Sequence, residues 1–323
     1  MKLIIQIPCF NEEQTLPVTI RDLPRQIPGI DSIEYLVIDD GSMDRTIEAA
    51  KTSGVHHIVR LTVNRGLATA FSTGIDECLK RGADIIVNTD GDNQYRGEDI
   101  ARLVRPILDR KADIVIGARN IGKIDEFSAI KKIFQKIGSS VLRRITHTTI
   151  PDMTSGFRAY SREAALRMNV TSDFTYTLET IIQASVAGIA ITHIPIQTNK
   201  KLRESRLFSS MSDYIGKSIV TIIRIYTMYE PLKVFVNLGS LFFILGMMGI
   251  LRFLFFYITL INIPTGHIQS LIISAISCII GFGIIIFGML ADVTSKNRIL
   301  MEDVLVRIKK MEYAQKDDGA RGG

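Results

Sequence analysis

The chain has 323 residues, of which 46% are hydrophobic, and its 39 Lys and Arg against 33 Asp and Glu give a net charge of +6. This length exceeds one compact core of typical size, and the modest positive excess, with no aromatic and basic platform beside it, favours anionic lipid or phosphate partners over nucleic acid. The three cysteines, Cys9, Cys78 and Cys278, have no metal-site spacing and no disulfide pattern, which is typical of a reducing compartment.

Short apolar strands alternate with helical stretches in the first half of the chain. This order predicts an α/β domain in which parallel strands are joined by right-handed crossovers. The predicted strands are Leu3–Pro8, Ile33–Ile38 and Ile85–Asn88, and the predicted helices are Gln14–Leu23, Asp44–Thr52 and Leu67–Arg81. Strand one begins at the amino terminus, so we expect no cleavable signal peptide and a cytoplasmic domain.

A polar cluster follows each predicted strand. The clusters are Cys9–Glu13, Asp39–Ser42 and Asp90–Gln94. Any one of them is compatible with ordinary turn chemistry. Ligands in parallel sheets bind beyond the carboxyl ends of the strands, so three clusters at that edge predict a binding site.

The cluster after the third strand carries two carboxylates one residue apart. If extended geometry persists past Thr89, Asp90 and Asp92 point the same way and Gln94 continues the row. Hard oxygen ligands of this kind suit Mg²⁺ or Mn²⁺ with positions left open for substrate phosphates. The pattern therefore indicates a divalent cation site.

These motifs, together with a later Ser-Gly-Phe-Arg run, resemble those of one enzyme family. The segments Ile7–Glu13, Val37–Asp44, Asp90–Gln94 and Ser155–Arg158 are similar to those of family 2, GT-A fold glycosyltransferases, and more narrowly to the polyprenyl-phosphate, dolichol-phosphate mannose synthase-like branch. The resemblance covers residues 1–207. Two positions depart from it: Gly91 stands where Ala is usual, and Leu67 where Lys is usual, with Arg65 as a candidate replacement cation.

The resemblance implies a GT-A (Rossmann-like, mostly parallel sheet) catalytic domain and an inverting transfer. The donor would be a UDP- or GDP-sugar, the acceptor a polyprenyl (undecaprenyl or dolichyl) phosphate, and the cofactor Mg²⁺ or Mn²⁺. A polyprenyl phosphate is already an anion, so a strong general base is optional. Two alternatives remain: a processive polysaccharide synthase, whose usual Gln-x-x-Arg-Trp motif needs a Trp that this chain lacks, and an inactive nucleotide-sugar-binding scaffold.

The resemblance also implies roles for individual residues. Those expected to line the donor pocket are Pro8, Phe10, Asn11, Glu12, Glu13, Asp39, Asp40 and Asp90. Those expected to hold the metal are Asp90, Asp92 and Gln94, and those expected to act in catalysis are Asp92, Asp152 and Arg158, with a lesser role for Glu179. Those expected at the acceptor phosphate are Arg119, Lys131, Lys132, Arg203 and Arg206.

Some of these assignments compete with simpler ones. An ordinary solvated or lipid-facing charge explains four of the cations as well as contact with the acceptor phosphate does; these are Lys131, Lys132, Arg203 and Arg206. Asp152 follows a proline and is also suited to a turn or helix cap.

The second half of the chain predicts a membrane hairpin in residues 233–292. Two apolar segments are each long enough to cross about 30 Å of hydrocarbon as a helix. The first is Val234–Leu251 continued by Phe253–Ile261, and the second is Ile268–Leu290. Lys and Arg lie on both outer flanks and are missing from the short link, so both ends are expected in the cytoplasm.

Amphipathic segments flank the predicted hairpin. Residues 208–232 have an apolar stripe at helical spacing, which favours a helix lying in the membrane interface or packed on the catalytic domain. Residues 293–323 form a cytoplasmic helix and tail. Its stretch Ile299–Tyr313 would either contact another protomer in a homo-oligomer or lie on the catalytic domain.

Overall fold

The structure is a computed structural model that describes residues 1–119, 150–170, 176–199, 216, 220, 223, 224, 226–259 and 268–321, with side chains of the last helix described as far as Tyr313. The chain divides into two compact units. One comprises Met1–Ile222 and Glu302–Gly323, and the other Ile223–Met301.

A seven-stranded, mostly parallel sheet organises the first unit, in the order β3-β2-β1-β4-β6-β5-β7. Among the strands that the structure describes, only β6 runs antiparallel to its neighbours, β4 and β5. The strands are β1 (Lys2–Cys9), β2 (Ser32–Asp39), β3 (His57–Arg60), β4 (Ile85–Asn88), β5 (Ile114–Arg119), β6 (Arg158–Ser161) and β7 (Ile191–Ile196). The predicted α/β class and the three predicted strands are confirmed, whereas β3, β5, β6 and β7 were not predicted.

Helices connect these strands. They are α1 (Leu16–Asp22), α2 (Thr46–Thr52), α3 (Leu67–Lys80), α4 (Asp99–Leu108), α5 (Arg162–Arg167) and α6 (Tyr176–Val186). The first two begin two residues later than predicted, because Thr15 and Arg45 stand at their amino-terminal caps and the residues before them belong to the polar loops.

The centre of the sheet is buried on both faces. Leu3, Ile4, Ile5 and Ile7 of β1 have no exposed surface, which is typical of a parallel strand covered by helices on each side. Each such side chain contributes about 1.5–3 kcal/mol on burial. The backbone that leads into the loop after β1 is therefore firmly held.

The strand order reverses at β1. This strand pairs in parallel with β2 on one side, where Cys9 lies opposite Asp39, and with β4 on the other, where Gln6 lies opposite Asn88. Loops that leave neighbouring strands at such a switch point diverge and leave a crevice between them. The predicted convergence of the three polar clusters at this edge is confirmed.

Two long apolar helices make up most of the second unit, α7 (Pro231–Thr259) and α8 (Ile268–Arg321). Both are long and apolar enough to cross a membrane, and an 18-residue stretch of each has a mean hydropathy of 2.2 and 2.6, respectively. They approach closely at small residues: a Cβ on Gly239 would lie 2.6 Å from the Gly281 carbonyl oxygen, and Ser277 Oγ donates to the Phe242 carbonyl at 2.8 Å.

The second long helix does not end at Leu290, where the predicted span ended, because no proline or other break follows and the helix continues to Arg321. The link predicted at Asn262–His267 lies outside the described residues, as does most of the predicted amphipathic segment 208–232.

Candidate active site

The loop after β1 is fastened to the loop after β2 by side chains that bond to backbone. The Asn11 amide N–H donates to Ser42 Oγ at 2.8 Å, and Asn11 Oδ1 accepts from the Met43 N–H at 2.9 Å. The Glu12 N–H donates to Thr46 Oγ1 at 2.8 Å. These contacts make the two loops one wall of the crevice.

Glu13 and the strand residue before the loop complete this wall. The Glu13 N–H donates to Asp44 Oδ2 at 3.1 Å, and Glu13 Oε2 accepts from the Arg45 N–H at 3.1 Å. Pro8 is buried in β1 opposite Ile38. Phe10, by contrast, is partly exposed at the head of the loop.

Asp39 offers a buried acceptor at the end of β2. The residue has no exposed surface, and its Oδ1 accepts from the Ser42 N–H at 3.2 Å. Its Oδ2 lies 3.5 Å from Arg60 Nε but has no hydrogen-bond partner among the residues that the structure describes. Buried polar atoms are nearly always hydrogen-bonded, so this oxygen suits an N–H or O–H of a ligand.

Asp40, predicted to line the donor pocket, accepts hydrogen bonds from the backbone just before α3. Its two carboxylate oxygens accept from the N–H groups of Arg65 and Gly66, each at 2.8 Å. Gly41 adopts a φ of +72°, and a Cβ there would lie 2.7 Å from the Val63 carbonyl carbon. We therefore propose that Asp40 positions the loop before α3 and does not itself line the donor pocket.

The residues after β4 do not form the extended row that the sequence predicted. The strand ends at Asn88, Gly91 and Asp92 lie in a turn, and Asn93 has a φ of +56°. The turn is closed by the Gln94 N–H, which donates to Asp92 Oδ1 at 3.1 Å. Strand alternation is therefore the wrong basis for grouping Asp90, Asp92 and Gln94.

The turn nevertheless fits a divalent cation. A Cβ on Gly156 would lie only 3.3 Å from Asp90 Oδ1, so the glycine leaves room for this carboxylate at the edge of the sheet. Among the described parts of the chain, no three Asp, Glu, His or Cys side chains are grouped to hold a metal. Two carboxylates that leave the other positions to a diphosphate are the set that Mg²⁺ or Mn²⁺ accepts.

A buried polar network lies beneath Asp90 and was not predicted. Asn88 Nδ2 donates to the Gly156 carbonyl and to Tyr176 Oη, both at 2.9 Å. The Gly156 N–H donates to Tyr95 Oη at 3.2 Å. Burial raises the pKa of Tyr95 to about 12, so its hydroxyl stays neutral. A polar residue ending an apolar strand, Asn88, was the one sequence signal for this network.

Arg119 and Asp152 form a buried ion pair at the end of β5. Arg119 Nε lies 2.7 Å from Asp152 Oδ2, Nη2 lies 3.2 Å from Oδ1, and Nη2 also reaches Thr154 Oγ1 at 3.2 Å. Burial alone would raise the pKa of Asp152, but the charge and hydrogen bonds of Arg119 outweigh it and hold the pKa below its ordinary value. Asp152 is thus an anion and a weak base.

Arg158 is enclosed by protein acceptors. It has no exposed surface and donates to the carbonyl oxygens of Ser155 at 2.8 Å, Met153 at 2.7 Å and Thr177 at 2.8 Å, and to Thr180 Oγ1 at 2.8 Å. A side chain so occupied cannot reach a substrate. We propose that Arg158 positions the Met153–Ser155 turn, in place of the catalytic role expected from the sequence.

The negative charges of several carboxylates raise the pKa of Cys9, at the end of β1. Burial raises the pKa of the Cys9 thiol well above its ordinary value, and the negative charges of Glu12, Asp39 and Asp90 raise it further. Side chains from three different loops therefore lie close enough to share one electrostatic field. The crevice concentrates negative charge, which a bound cation would offset.

Of the remaining predicted residues, the structure describes Glu179. Glu179 is fully buried on α6, where its Oε1 accepts from Gln183 Nε2 at 3.2 Å. The four cations Lys131, Lys132, Arg203 and Arg206 lie outside the described residues.

Comparison with known proteins identifies relatives of this domain. The model of the family described as "Glycosyl transferase family 2" matches residues 4–167. An undecaprenyl-phosphate mannosyltransferase of Micrococcus luteus is 28% identical over 69% of this chain and 93% of its own length. A UDP-N-acetylglucosamine–dolichyl-phosphate N-acetylglucosaminyltransferase of Methanococcus voltae is 28% identical over 59% of this chain and 83% of its own length.

Solved structures share the fold. Glucosyl-3-phosphoglycerate synthase of Mycobacterium tuberculosis, in complex with Mn²⁺, UDP-glucose and phosphoglyceric acid, superposes with a TM-score of 0.55 at 20% identity. The match covers 70% of this chain and 78% of that protein. At this identity the likeness supports the GT-A architecture alone.

Proposed function

The chain belongs to glycosyl transferase family 2, and from this premise we propose that it transfers one sugar, with inversion, from a UDP- or GDP-sugar to a polyprenyl phosphate at the cytoplasmic face of a membrane. Its relatives include enzymes named for undecaprenyl-phosphate and dolichyl-phosphate acceptors. The chain has in addition two helices apolar enough to cross a bilayer.

The donor half of the proposal is carried by the crevice at the switch point of the sheet. Asp39 presents a buried oxygen that lacks a hydrogen-bond partner within the described residues, in a wall braced by Asn11 and Glu12. A nucleoside has N–H and O–H groups that would satisfy it. Asp90 follows β4, the strand on the other side of β1 from Asp39, and a diphosphate extending from the nucleoside would approach it.

Asp90 and Asp92 would hold Mg²⁺ or Mn²⁺ between them. When bound, the cation offsets the negative charge that gathers on the leaving nucleoside diphosphate. The protein's own contribution is to leave room for the Asp90 carboxylate at Gly156, and to orient Asp92 through the Gln94 N–H.

The acceptor half rests on the Arg119 and Asp152 pair at the neighbouring strand end. An acceptor phosphate is already anionic, so it requires placement and not deprotonation. The depressed pKa of Asp152 agrees with an orienting role, because such a carboxylate is a poor base. The Arg119 side chain is 13% exposed and its guanidinium is held by Asp152, so its charge has a fixed place from which it would attract an acceptor phosphate.

The stereochemical proposal follows from the anionic acceptor, which can attack the anomeric carbon directly, without a covalent intermediate on the protein. One direct displacement by the phosphate on the face opposite the leaving diphosphate inverts the anomeric centre. The orientation proposal is supported by the Lys and Arg that flank both long helices, because such residues favour the cytoplasmic side of a membrane.

The test is a panel of radiolabelled sugar nucleotides, each incubated with the detergent-purified chain, Mn²⁺ or Mg²⁺ and a short polyprenyl phosphate. We expect lipid-soluble label from one donor, lost with chelator and lost in Asp92→Ala. The control variant is Asp109→Ala, an acidic residue on the surface that should leave turnover unchanged. If folded protein transfers no label from any donor, the proposal is wrong and a binding scaffold takes its place.

A further inference from the structure

The segment Met301–Tyr313 of α8 has one face packed on the catalytic unit. Val306 and Tyr313 are 7% and 4% exposed. Lys309 Nζ lies 2.7 Å from Asp76 Oδ1, and Lys310 Nζ lies 2.7 Å from Glu163 Oε2. This face is therefore already occupied by the protein's own chain.

The opposite face of the same segment carries apolar side chains that are exposed. Met301, Val304, Ile308 and Met311 are 71%, 54%, 54% and 66% exposed, and we call them the exposed stripe. Their spacing of three, four and three residues is the a and d pattern of a coiled coil. Large apolar side chains aligned in this way mark an interaction surface.

A bilayer does not account for the stripe. The helix α8 is unbroken from Ile268 onward, and at 1.5 Å per residue Val304 lies about 54 Å along it, well past about 30 Å of hydrocarbon. Three acidic residues, Glu302, Asp303 and Glu312, balance the three basic ones in this segment, and two of those basic residues, Lys309 and Lys310, are already paired with Asp76 and Glu163. Helices that lie in lipid headgroups are instead rich in Lys and Arg.

The charges beside the stripe fit a second copy of the chain. With Met301 and Ile308 at a positions, Arg307 falls at g and Glu312 at the following e. In a parallel pair of identical helices each g residue faces the next e residue of the partner, so Arg307 would meet Glu312 twice. Within one chain Arg307 pairs with Asp303 at 3.1 Å, an exposed pair that costs little to exchange.

We propose that two copies of this chain associate in the membrane through a short parallel coiled coil formed by the exposed stripe. A coiled coil of less than two heptads would be too weak to hold two copies together in solution. Here, however, both helices leave the same membrane in the same direction, and confinement to the bilayer raises their effective concentration. The dimer has twofold symmetry about the membrane normal.

The copy number of the full chain in liposomes, counted by single-molecule photobleaching at low protein density, tests the proposal. Wild type is expected as pairs, and the double variant Val304→Glu with Ile308→Glu as single copies. Arg307→Glu and Glu312→Arg should each lower the dimer fraction about tenfold or more, and the two together should restore it. A single-copy wild type, or pairs that persist with both glutamates, overturns the proposal.

Fluorescence separates the dimer from lipid binding. The chain contains no Trp, so Ile308→Trp introduces a unique fluorophore. Brominated lipids should leave it unquenched, while they should quench Phe287→Trp, a control on the apolar part of α8 that is 67% exposed. Quenching at position 308 would assign the stripe to the bilayer and overturn the proposal. Neither readout depends on the proposed transferase activity.

Discussion

Arg119 and Asp152 are joined at two points, with Nε 2.7 Å from Oδ2 and Nη2 3.2 Å from Oδ1, across 33 residues of sequence. The Asp152 carboxylate has no exposed surface. The pair joins Arg119, predicted to lie at the acceptor phosphate, to Asp152, predicted to act in catalysis. The pair also makes the stability of the catalytic unit depend on pH.

Asp152→Asn should destabilise the catalytic unit in a pH-dependent way. Breaking a buried pair costs about 3–5 kcal/mol, because Arg119 keeps an uncompensated charge. The folded pKa of Asp152 is lowered, so its contribution is fully present above the unfolded value of about 3.9 and is lost as the pH falls through the folded value. Thermal unfolding midpoints between pH 3 and pH 7 measure this.

The difference between wild type and Asp152→Asn should therefore be constant above about pH 5 and shrink below about pH 4. Asp109→Asn is the matched control, since its partner Arg105 is 64% exposed and the pair is worth less than about 1 kcal/mol. A difference that grows on acidification would contradict the depressed pKa.

Arg158 variants should separate a positioning role from a catalytic one. Arg158→Met leaves the carbonyls of Met153, Ser155 and Thr177 without their donor, at about 1–3 kcal/mol each, and should lower the thermal midpoint strongly. Arg158→Lys keeps three donors and should recover part of the stability and most of kcat. If the lysine variant folds like wild type yet loses turnover a hundredfold, Arg158 contacts substrate after all.

Gly91→Ala should be a mild defect that depends on Cys9. The added Cβ would lie 3.0 Å from Cys9 Sγ, so the buried thiol must shift and the cost should be about 1–3 kcal/mol. Cys9→Ala in the same chain makes room, and the double variant should be more stable than the sum of the single effects predicts. Additive losses in a urea titration of the four proteins would show that the two side chains do not compete for space.

Gly156→Ala should weaken the cation site. Its Cβ would lie 2.7 Å from Tyr176 Oη and 3.3 Å from Asp90 Oδ1, so the carboxylate must move. We expect the Mn²⁺ concentration for half-maximal turnover to rise about tenfold, or about 1.4 kcal/mol. Adding Tyr176→Phe removes the closer contact and should restore part of the affinity.

The control for this experiment is Gly283→Ala, a helical position of the second unit where an added Cβ meets nothing within 4 Å among the described residues. Its Mn²⁺ dependence should match that of wild type. An unchanged Mn²⁺ requirement in Gly156→Ala would show that Asp90 does not hold the cation.

Local patterns were enough to place the polar clusters. The apolar runs of β1, β2 and β4 are short and end sharply at polar residues, so their carboxyl ends could be located, and parallel pairing put them at one edge. The same reasoning failed one residue later, at Asp90. Strand alternation does not survive the turn that Gly91 and the left-handed Asn93 create.

The sequence by itself thus determined the fold class, the edge of the sheet where chemistry would occur and the apolar helices, since each is encoded by residues near one another in the chain. Only the tertiary structure decided which charged groups remain available to a ligand and which form their hydrogen bonds within the protein. The Asp40 carboxylate accepts hydrogen bonds from the Arg65 and Gly66 amides. The Arg158 guanidinium donates to carbonyl oxygens as far away in sequence as Thr177. Such partners are distant in sequence, and burial makes satisfying them obligatory.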